Sequence, residues 1–251
     1  MTSTPSVLIP IAPGTNRNQE LADAFAAAGA STMQVPLQAL RDGETKLVDH
    51  QILALAGGFS YGDALGAGRL LGLDLTGWFA DQLNEAVAAE MPIFGVCNGF
   101  QALVRAGLLP GDDTAAALVA NDSGRFECRW VTLAPVAERR SIWLDGLTGN
   151  LRCPVAHAEG KLVAEGSPNV AFRYVGADGA GADGDIDPGY PANPNGSAGG
   201  AAGLIDDSGF VLGLMPHPED HIHPHQDPLR GRVGGGNCLP LFQAGVTAVN
   251  A

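Results

Sequence analysis

Short runs of apolar residues alternate with segments of helical periodicity through the first half of the chain. The strand-length runs are residues 7–12, 32–37, 52–56 and a run that ends at Cys97. Between them, residues 21–28 and 75–89 repeat apolar positions at helical spacing, and Gly29 ends the first of these segments. Strands that are apolar on both faces and alternate with helices predict an α/β fold, with a mostly parallel central sheet covered by helices on both faces.

The pattern changes after residues 107–111. Strands are predicted at residues 128–133, 155–157 and 171–175, followed by a hairpin of residues 202–205 and 211–215 and by a final helix over 239–249. Residues 176–200 are rich in Gly, Asp, Asn and Pro, which favours turns. The sequence contains no internal repeat, and we expect one domain over residues 1–251.

Composition narrows the class of partner and the compartment. The formal net charge is -13, which argues against a broad nucleic-acid or anionic-membrane surface. No apolar stretch approaches the roughly 18–20 residues that cross a bilayer, and the first residues do not resemble a signal peptide. The four cysteines are far apart and form no Cys-x-x-Cys pair, so we expect a reducing, cytoplasmic location.

Cys97 lies between a strand and a helical segment, with Gly95 and Gly99 two positions to either side. This spacing is typical of a nucleophile elbow, with Cys in the place of Ser. A sharp strand-to-helix turn crowds its neighbours, so the flanking positions must lack a Cβ. The helix N-terminus favours a thiolate. The alternative is a buried free cysteine at the end of a strand.

A thiolate nucleophile needs a base, and the base needs an acceptor that orients it. His217 and Glu219 follow another apolar strand and are two positions apart, so both side chains can project to one side. Pro218 limits the freedom between them. A structural histidine near a loop is the alternative, but together with Cys97 the pattern favours a Cys-His-Glu triad.

Cys97 with its flanking glycines, followed later by His217 and Glu219, resembles the class I glutamine amidotransferase family. Within that family the sequence resembles the glutaminase subunits of phosphoribosylformylglycinamidine synthase. The resemblance extends from about residue 7 to about residue 245. The matching motifs, in chain order, are residues 13–16, 57–63, 95–101, 107–111, 121–123, 125–126, 128–131, 193–197 and 214–219.

The resemblance implies a flavodoxin-like fold and hydrolysis of L-glutamine to glutamate and ammonia. It implies that Cys97 forms a glutamyl thioester, that His217 is the general acid and base, and that Glu219 orients it. The backbone N–H groups of Gly58 and Asn98 would form the oxyanion hole. The substrate-binding or interface residues that the resemblance implies are Gln101, which would read the amino-acid head of glutamine, and Phe59, Ser60, Arg125 and Phe126.

The same resemblance implies a partner. Ammonia would pass to a separate ATP-dependent formylglycinamidine synthase subunit, with a small bridging subunit, in de novo purine biosynthesis. The chain has no P-loop, so the ATP chemistry would take place on that partner. We expect no cofactor, no metal, no nucleic acid and no membrane.

Two features depart from the family pattern. The family continues His-Pro-Glu with Arg, whereas Asp220 stands here and is followed by His221, His223 and His225. A surface loop is the interpretation that we favour for these histidines over a metal site. The acidic, glycine-rich residues 176–188 form a longer segment than the family needs, and we interpret them as a solvated loop because no calcium-ligand spacing matches.

Two other functions stay open at this stage. One is a stand-alone Cys hydrolase on an α/β-hydrolase fold, in which the acid normally precedes the histidine, whereas Glu219 follows His217. The other is a non-enzymatic binding subunit, which would have lost the nucleophile or the base. Both groups are present.

Overall fold

A computed structural model of the chain describes residues 4–250, apart from 112–113, 137–139, 177–178, 182–185, 230–231 and 233. The strands are β1 Ser6–Ile11, β2 Ser31–Pro36, β3 Ile52–Leu55, β4 Ile93–Val96, β5 Ala116–Ala120, β6 Glu127–Pro135, β7 Leu151–His157, β8 Glu159–Ala164, β9 Val170–Val175, β10 Ala201–Ile205 and β11 Val211–Leu214. The helices are α1 Asn18–Ala27, α2 Leu37–Arg41, α3 Arg69–Gly77, α4 Ala80–Ala88, α5 Asn98–Arg105 and α6 Leu239–Ala248.

The main sheet has nine strands in the order β2-β1-β3-β4-β11-β10-β9-β6-β7. The strands from β2 to β11 run parallel to their neighbours. From β11 to β7 every neighbour is antiparallel, and β10 with β11 forms the predicted hairpin. The predicted α/β class is confirmed, and the helices cover the parallel strands.

The connections place helices on both faces of the parallel strands. From β1 the chain crosses to β2 at one edge of the sheet, whereas from β3 it crosses to β4, toward the other edge. Because such crossovers are right-handed, α1 and the α3–α4 segment lie on opposite faces. In agreement, α1 packs with α6, whereas α3 packs with α4 and α5. The reversal between β1 and β3 is the position where ligands collect in doubly wound sheets.

An aromatic cluster anchors β4, the strand that leads to Cys97. The ring of Phe94 lies 6.2 Å from Phe25, 5.3 Å from Trp143 and 5.6 Å from Phe242, measured between centroids. All four rings are fully buried, and three of these contacts are edge-to-face or tilted arrangements of the kind that aromatic pairs favour. The cluster therefore fixes the strand from which the candidate nucleophile projects.

Two elements differ from the sequence prediction. The helix predicted over 75–89 is wrong as a single element, because the chain breaks between α3 and α4, where the ring of Phe79 is buried. A separate two-stranded sheet of β5 and β8 was not predicted. None of the described helices combines the length and the apolar character needed to cross a membrane.

The histidine tract only partly forms a surface loop. His223 and His225 are exposed, and their rings stack 5.4 Å apart. The surface interpretation is wrong for His221, which is buried against Trp130 and hydrogen-bonds through Nδ1 to the carbonyl of Arg152. Of the predicted loop 176–188, residues 177–178 and 182–185 lie outside the described part of the chain.

Burial of His221 leads to a stability prediction. His221→Ser removes the ring that packs on Trp130 and leaves the buried carbonyl of Arg152 without that donor, so we expect a loss of about 1–3 kcal/mol in the free energy of unfolding. His223→Ser is the matched control, because its ring is exposed and surface changes stay within about 0.5 kcal/mol. Urea unfolding of both variants provides the measurement. Equal stability of the two variants would show that the His221 contact contributes nothing.

Candidate active site

Cys97 occupies a strained turn between β4 and α5. Its backbone has φ 50° and ψ −106°, a positive-φ conformation that is rare for a residue with a side chain. Its N–H donates to the carbonyl of Leu214 at the end of β11 over 2.7 Å. The parallel strands β4 and β11 therefore hold the elbow from both sides.

The glycines of the elbow are required by close backbone approach. A Cβ on Gly99 would lie 2.1 Å from the carbonyl oxygen of Leu55, and one on Gly95 would lie 2.9 Å from the carbonyl carbon of Gly99. Neither glycine has a positive φ, so space and not dihedral angle excludes a side chain. The predicted need for positions without a Cβ is confirmed.

His217 follows β11, next to the strand that ends at Cys97, and is oriented by Glu219. Nδ1 of His217 lies 2.6 Å from Oε1 of Glu219, and both side chains are buried. A Cβ on Gly57 would lie 2.8 Å from Cε1 of His217 and 3.4 Å from Cβ of Cys97. Gly57 therefore lies directly against both groups, and the structure brings together the three residues of the predicted triad.

The surroundings of His217 favour its protonated form. Burial lowers its pKa, but the Glu219 carboxylate and the Cys97 sulfur outweigh burial and hold the pKa of His217 well above its usual value. Among the described residues, none lies in a position to hydrogen-bond with Nε2 of His217. The ring thus presents an uncommitted nitrogen in a site where an imidazolium is stable.

Strand β7 covers the site, although it lies five strands away from β4 in the sheet order. The carbonyl of Ala156 is 3.7 Å from Sγ of Cys97, and the carbonyl of Pro154 accepts a 2.8 Å hydrogen bond from the N–H of His217. The antiparallel half of the sheet therefore curls back over the carboxyl ends of the parallel strands.

The two predicted oxyanion donors lie on either side of the elbow. Asn98 is the first residue of α5, so its N–H has no partner within the helix. Its side chain accepts from Ser60 and donates to Asp63 over 2.8 Å. Gly58 has φ 119°, and a Cβ there would lie 2.6 Å from Oδ1 of Asn16, so only glycine fits.

A cavity of about 270 Å³ opens onto Cys97 and His217. Phe59 and Phe126 lie on its wall, and both are about half exposed, at 46% and 50%. The other lining residues are Asn16, Arg17, Gly58, Cys128, Pro154, Val155, Ala156 and Asp220.

The other predicted substrate-binding residues do not line this cavity. Gln101 is buried and donates from Nε2 to the carbonyl of Glu159. Ser60 is buried against Asn98. Arg125 is exposed and lines a neighbouring cavity. The structure therefore brings two of the five to the cavity and places the other three around it.

Sequence reasoning missed a charged pair on the cavity wall. Arg17 forms an ion pair with Asp220, and both are partly buried. Burial, and next the Glu219 carboxylate, raise the pKa of Asp220, while Arg17 opposes them. His217, Glu219 and Asp220 are the only described group of metal-ligand type, but a guanidinium already contacts Asp220. Only the departure at Asp220 pointed to this pair.

Comparison with known proteins gives the family of the chain. A family model for the CobB/CobQ-like glutamine amidotransferase domain matches residues 4–247. The phosphoribosylformylglycinamidine synthase subunit PurQ of Treponema denticola is 39% identical, over 98% of this chain and 99% of that protein. The same subunit of Dehalococcoides mccartyi is 41% identical over 92% of both chains. In the structure of PurLQS from Thermotoga maritima, the matching chain has a TM-score of 0.77 and 30% identity, with 98% of this chain and 99% of that chain covered.

The fold, the cysteine elbow and the buried His-Glu pair define a glutamine amidotransferase, and the predicted enzyme class is confirmed. Within that class the chain belongs to the PurQ family of phosphoribosylformylglycinamidine synthase subunits, which confirms the resemblance drawn from the motifs.

The position of Gly57 leads to a prediction about thiol reactivity. Gly57→Ala places a methyl group 2.8 Å from the His217 ring and against Cys97, so we expect the rate of Cys97 alkylation to fall by about 10²-fold because the pair is pushed apart. Gly77→Ala at the end of α3 is the control, since a Cβ there meets nothing within 4 Å. Mass spectrometry of iodoacetamide-treated protein gives the rate. Wild-type reactivity in Gly57→Ala would contradict the close packing.

Proposed function

We propose that the chain hydrolyses L-glutamine to glutamate and ammonia, with Cys97 as nucleophile, His217 as acid and base, and Glu219 as its orienting partner. The observation that supports this most directly is the 2.6 Å Nδ1–Oε1 contact of a buried His-Glu pair beside a cysteine in a strained elbow. Membership of a glutamine amidotransferase family agrees with it.

In the first half of the reaction, the Cys97 thiolate attacks the carboxamide carbon of glutamine. The carbonyl π electrons move to oxygen, and the N–H groups of Gly58 and Asn98 stabilise the resulting oxyanion. His217 donates its proton to the nitrogen, the C–N bond breaks, and ammonia leaves. The product at this stage is a glutamyl thioester on Cys97.

In the second half, neutral His217 accepts a proton from a water molecule as the water attacks the thioester carbonyl. The same two N–H groups hold the second oxyanion. The C–S bond then breaks, glutamate leaves, and the thiolate–imidazolium pair is restored. Glu219 stabilises the imidazolium at both stages without being protonated itself.

The remaining predicted residues support the pocket in different ways. Phe59 and Phe126 border the cavity and act as walls for the substrate or for a partner. Ser60 acts through Asn98, and Gln101 acts through Glu159 or on the amino-acid head directly. Arg125 contributes to the exposed surface beside the mouth.

The ammonia is delivered to a separate ATP-dependent synthase subunit, which makes formylglycinamidine ribonucleotide in purine biosynthesis with a small bridging subunit. The names of the PurQ relatives and of the PurLQS assembly support this partner. The location is cytoplasmic, which fits four cysteines that are all free. Residues 1–251 form one domain, which fits the family match over 4–247.

Two cysteines of the same cavity provide the test of the nucleophile. Cys97→Ala should abolish glutamate release from glutamine, while the complex still makes amidine from added ammonia. Cys128 lines the same cavity but lies on β6, away from the elbow. Cys128→Ala should therefore keep turnover within a few-fold. Glutaminase activity in Cys97→Ala would disprove the mechanism.

The residues around Gly58 lead to a prediction about the isolated chain. One proposed oxyanion donor lies on a glycine-rich segment in which Tyr61, Asp63 and Leu65 all have positive φ. A docked partner can reorient such a segment and complete the oxyanion hole, which is worth about 10²–10³ in rate per donor. We expect a rise of that size in glutamate production when the synthase subunit and its nucleotide ligands bind. Equal rates for the free chain and the complex would mean that the site is already formed.

A further inference from the structure

A second buried histidine lies beside the site. His157 ends β7, one residue after the carbonyl that contacts the Cys97 sulfur. Among the described residues only four buried side-chain polar atoms lack a hydrogen-bond partner, and Nε2 of His157 is one of them. Two of the others belong to His217 and Glu219, whose roles explain them. A buried ring nitrogen without a partner is costly, so His157 needs an explanation of its own.

The hydrogen bonds of Asn121 fix the tautomer of His157. Nδ2 of Asn121 donates to the carbonyl of Arg125 over 2.9 Å and to the carbonyl of His157 over 2.8 Å. Both of its hydrogens are thus used, and Oδ1 is the atom that lies 3.1 Å from Nδ1 of His157. Because an amide oxygen only accepts, Nδ1 must carry the proton. Nε2 of neutral His157 is therefore a bare acceptor.

The ring is also held in place by packing. A Cβ on Gly160 would lie 2.6 Å from Nδ1 and 2.7 Å from Cε1 of His157, so the ring rests directly on the glycine backbone. The backbone N–H of Asn121 donates to the carbonyl of Ala158 over 2.9 Å. Asn121 therefore clamps the turn after β7 from its side chain and from its backbone.

The charged groups near His157 act in opposite directions. Burial, and next the charge of His217, lower the pKa of His157 to about 4, while Glu127 directly opposite on β6 raises it. Glu127 is itself paired with Arg129. His157 is thus neutral at physiological pH, next to a histidine whose pKa is raised.

We propose that Asn121 and His157 are positioning residues for glutamine hydrolysis. Asn121 holds the ring of His157 with Nδ1–H toward its amide oxygen, and burial keeps the ring neutral, so that no second cation competes with the His217 imidazolium. The same amide connects the loop that carries Phe126, on the cavity wall, to the end of β7, whose Ala156 carbonyl contacts the nucleophile. The catalytic part of this proposal rests on the proposed function, whereas the tautomer of His157 does not.

The tautomer is tested directly on the full wild-type chain by NMR of ¹⁵N-labelled histidine. We expect the His157 ring, assigned by its absence in His157→Gln, to show a protonated Nδ1 and an unprotonated Nε2. It should not titrate between about pH 5 and 8, where ordinary histidines do. A proton on Nε2, or titration within that range, would overturn the proposal whether or not the chain hydrolyses glutamine.

The catalytic role is tested with Asn121→Asp, which has nearly the same shape. A carboxylate beside Nδ1 favours the imidazolium, so His157 should now titrate in the accessible range. The kcat/KM for glutamine should then show a new inflection, falling as the pH falls through the His157 midpoint, because a second imidazolium opposes protonation of His217. If the role were purely structural, activity would fall at every pH, and no inflection in kcat/KM would coincide with the titration midpoint of His157.

Two alanine variants complete the experiment. Asn121→Ala should lower kcat/KM by about 10²-fold through misplacement of the turn. Asn169→Ala is the control, because among the described residues its side-chain amide hydrogen-bonds only to Asp207, and that contact is solvent-exposed. Wild-type kcat/KM in Asn121→Ala, or Asn121→Asp without the inflection, would show that the pair has no positioning role. Circular dichroism of each variant establishes that it is folded.

Discussion

The site depends on how closely helix α5 approaches strand β3. The Cα of Gly99 sits so near the carbonyl of Leu55 that a single methyl group would lie 2.1 Å from that oxygen. This approach fixes the start of α5, and with it the strained backbone of Cys97 and the N–H of Asn98. Glycine at positions 57, 95 and 99 is therefore a steric requirement of the site, because larger residues would separate the elements that form it.

Packing in the core offsets the free-energy cost of the strained backbone at Cys97. Phe94 in β4 lies three residues before Cys97, and its ring packs against three other buried aromatic rings. Strained turns persist only when the surrounding structure determines them fully. The hydrogen bond from Cys97 to Leu214 adds a second constraint from the adjacent parallel strand. Packing and strand pairing together hold a conformation that the local sequence disfavours.

The protonation state of His217 follows from its burial beside Glu219. Burial alone would keep His217 neutral, yet the Glu219 carboxylate and the Cys97 sulfur make the imidazolium the favoured form. The charge is thus stabilised inside the protein by two neighbours and not by solvent. Arg17 has a similar relation to Asp220, where a cation on the residue just before α1 compensates an acidic residue next to the His217–Glu219 pair.

Local patterns in the sequence predicted the parallel strands, the closing hairpin and the three residues of the triad. These features depend on short-range spacing, such as the glycines around Cys97 and the two-residue separation of His217 from Glu219. The break between α3 and α4 could not be read in the same way, because helical apolar spacing continues through Phe79 at the break and the burial of that ring depends on distant segments. His221 was misplaced for the same reason, since its partner Arg152 is remote in the chain.

By itself, the sequence determined which chemical groups are present, the order of the strands along the chain and the family to which the chain belongs. Only the tertiary structure decided that β7 curls back over Cys97, that Arg17 meets Asp220 and that Asn121 fixes the tautomer of His157. Each of these contacts joins residues that are far apart in the chain. Their formation depends on the curvature of the whole sheet and on which backbone groups are left to be satisfied, and neither quantity is encoded in a local pattern.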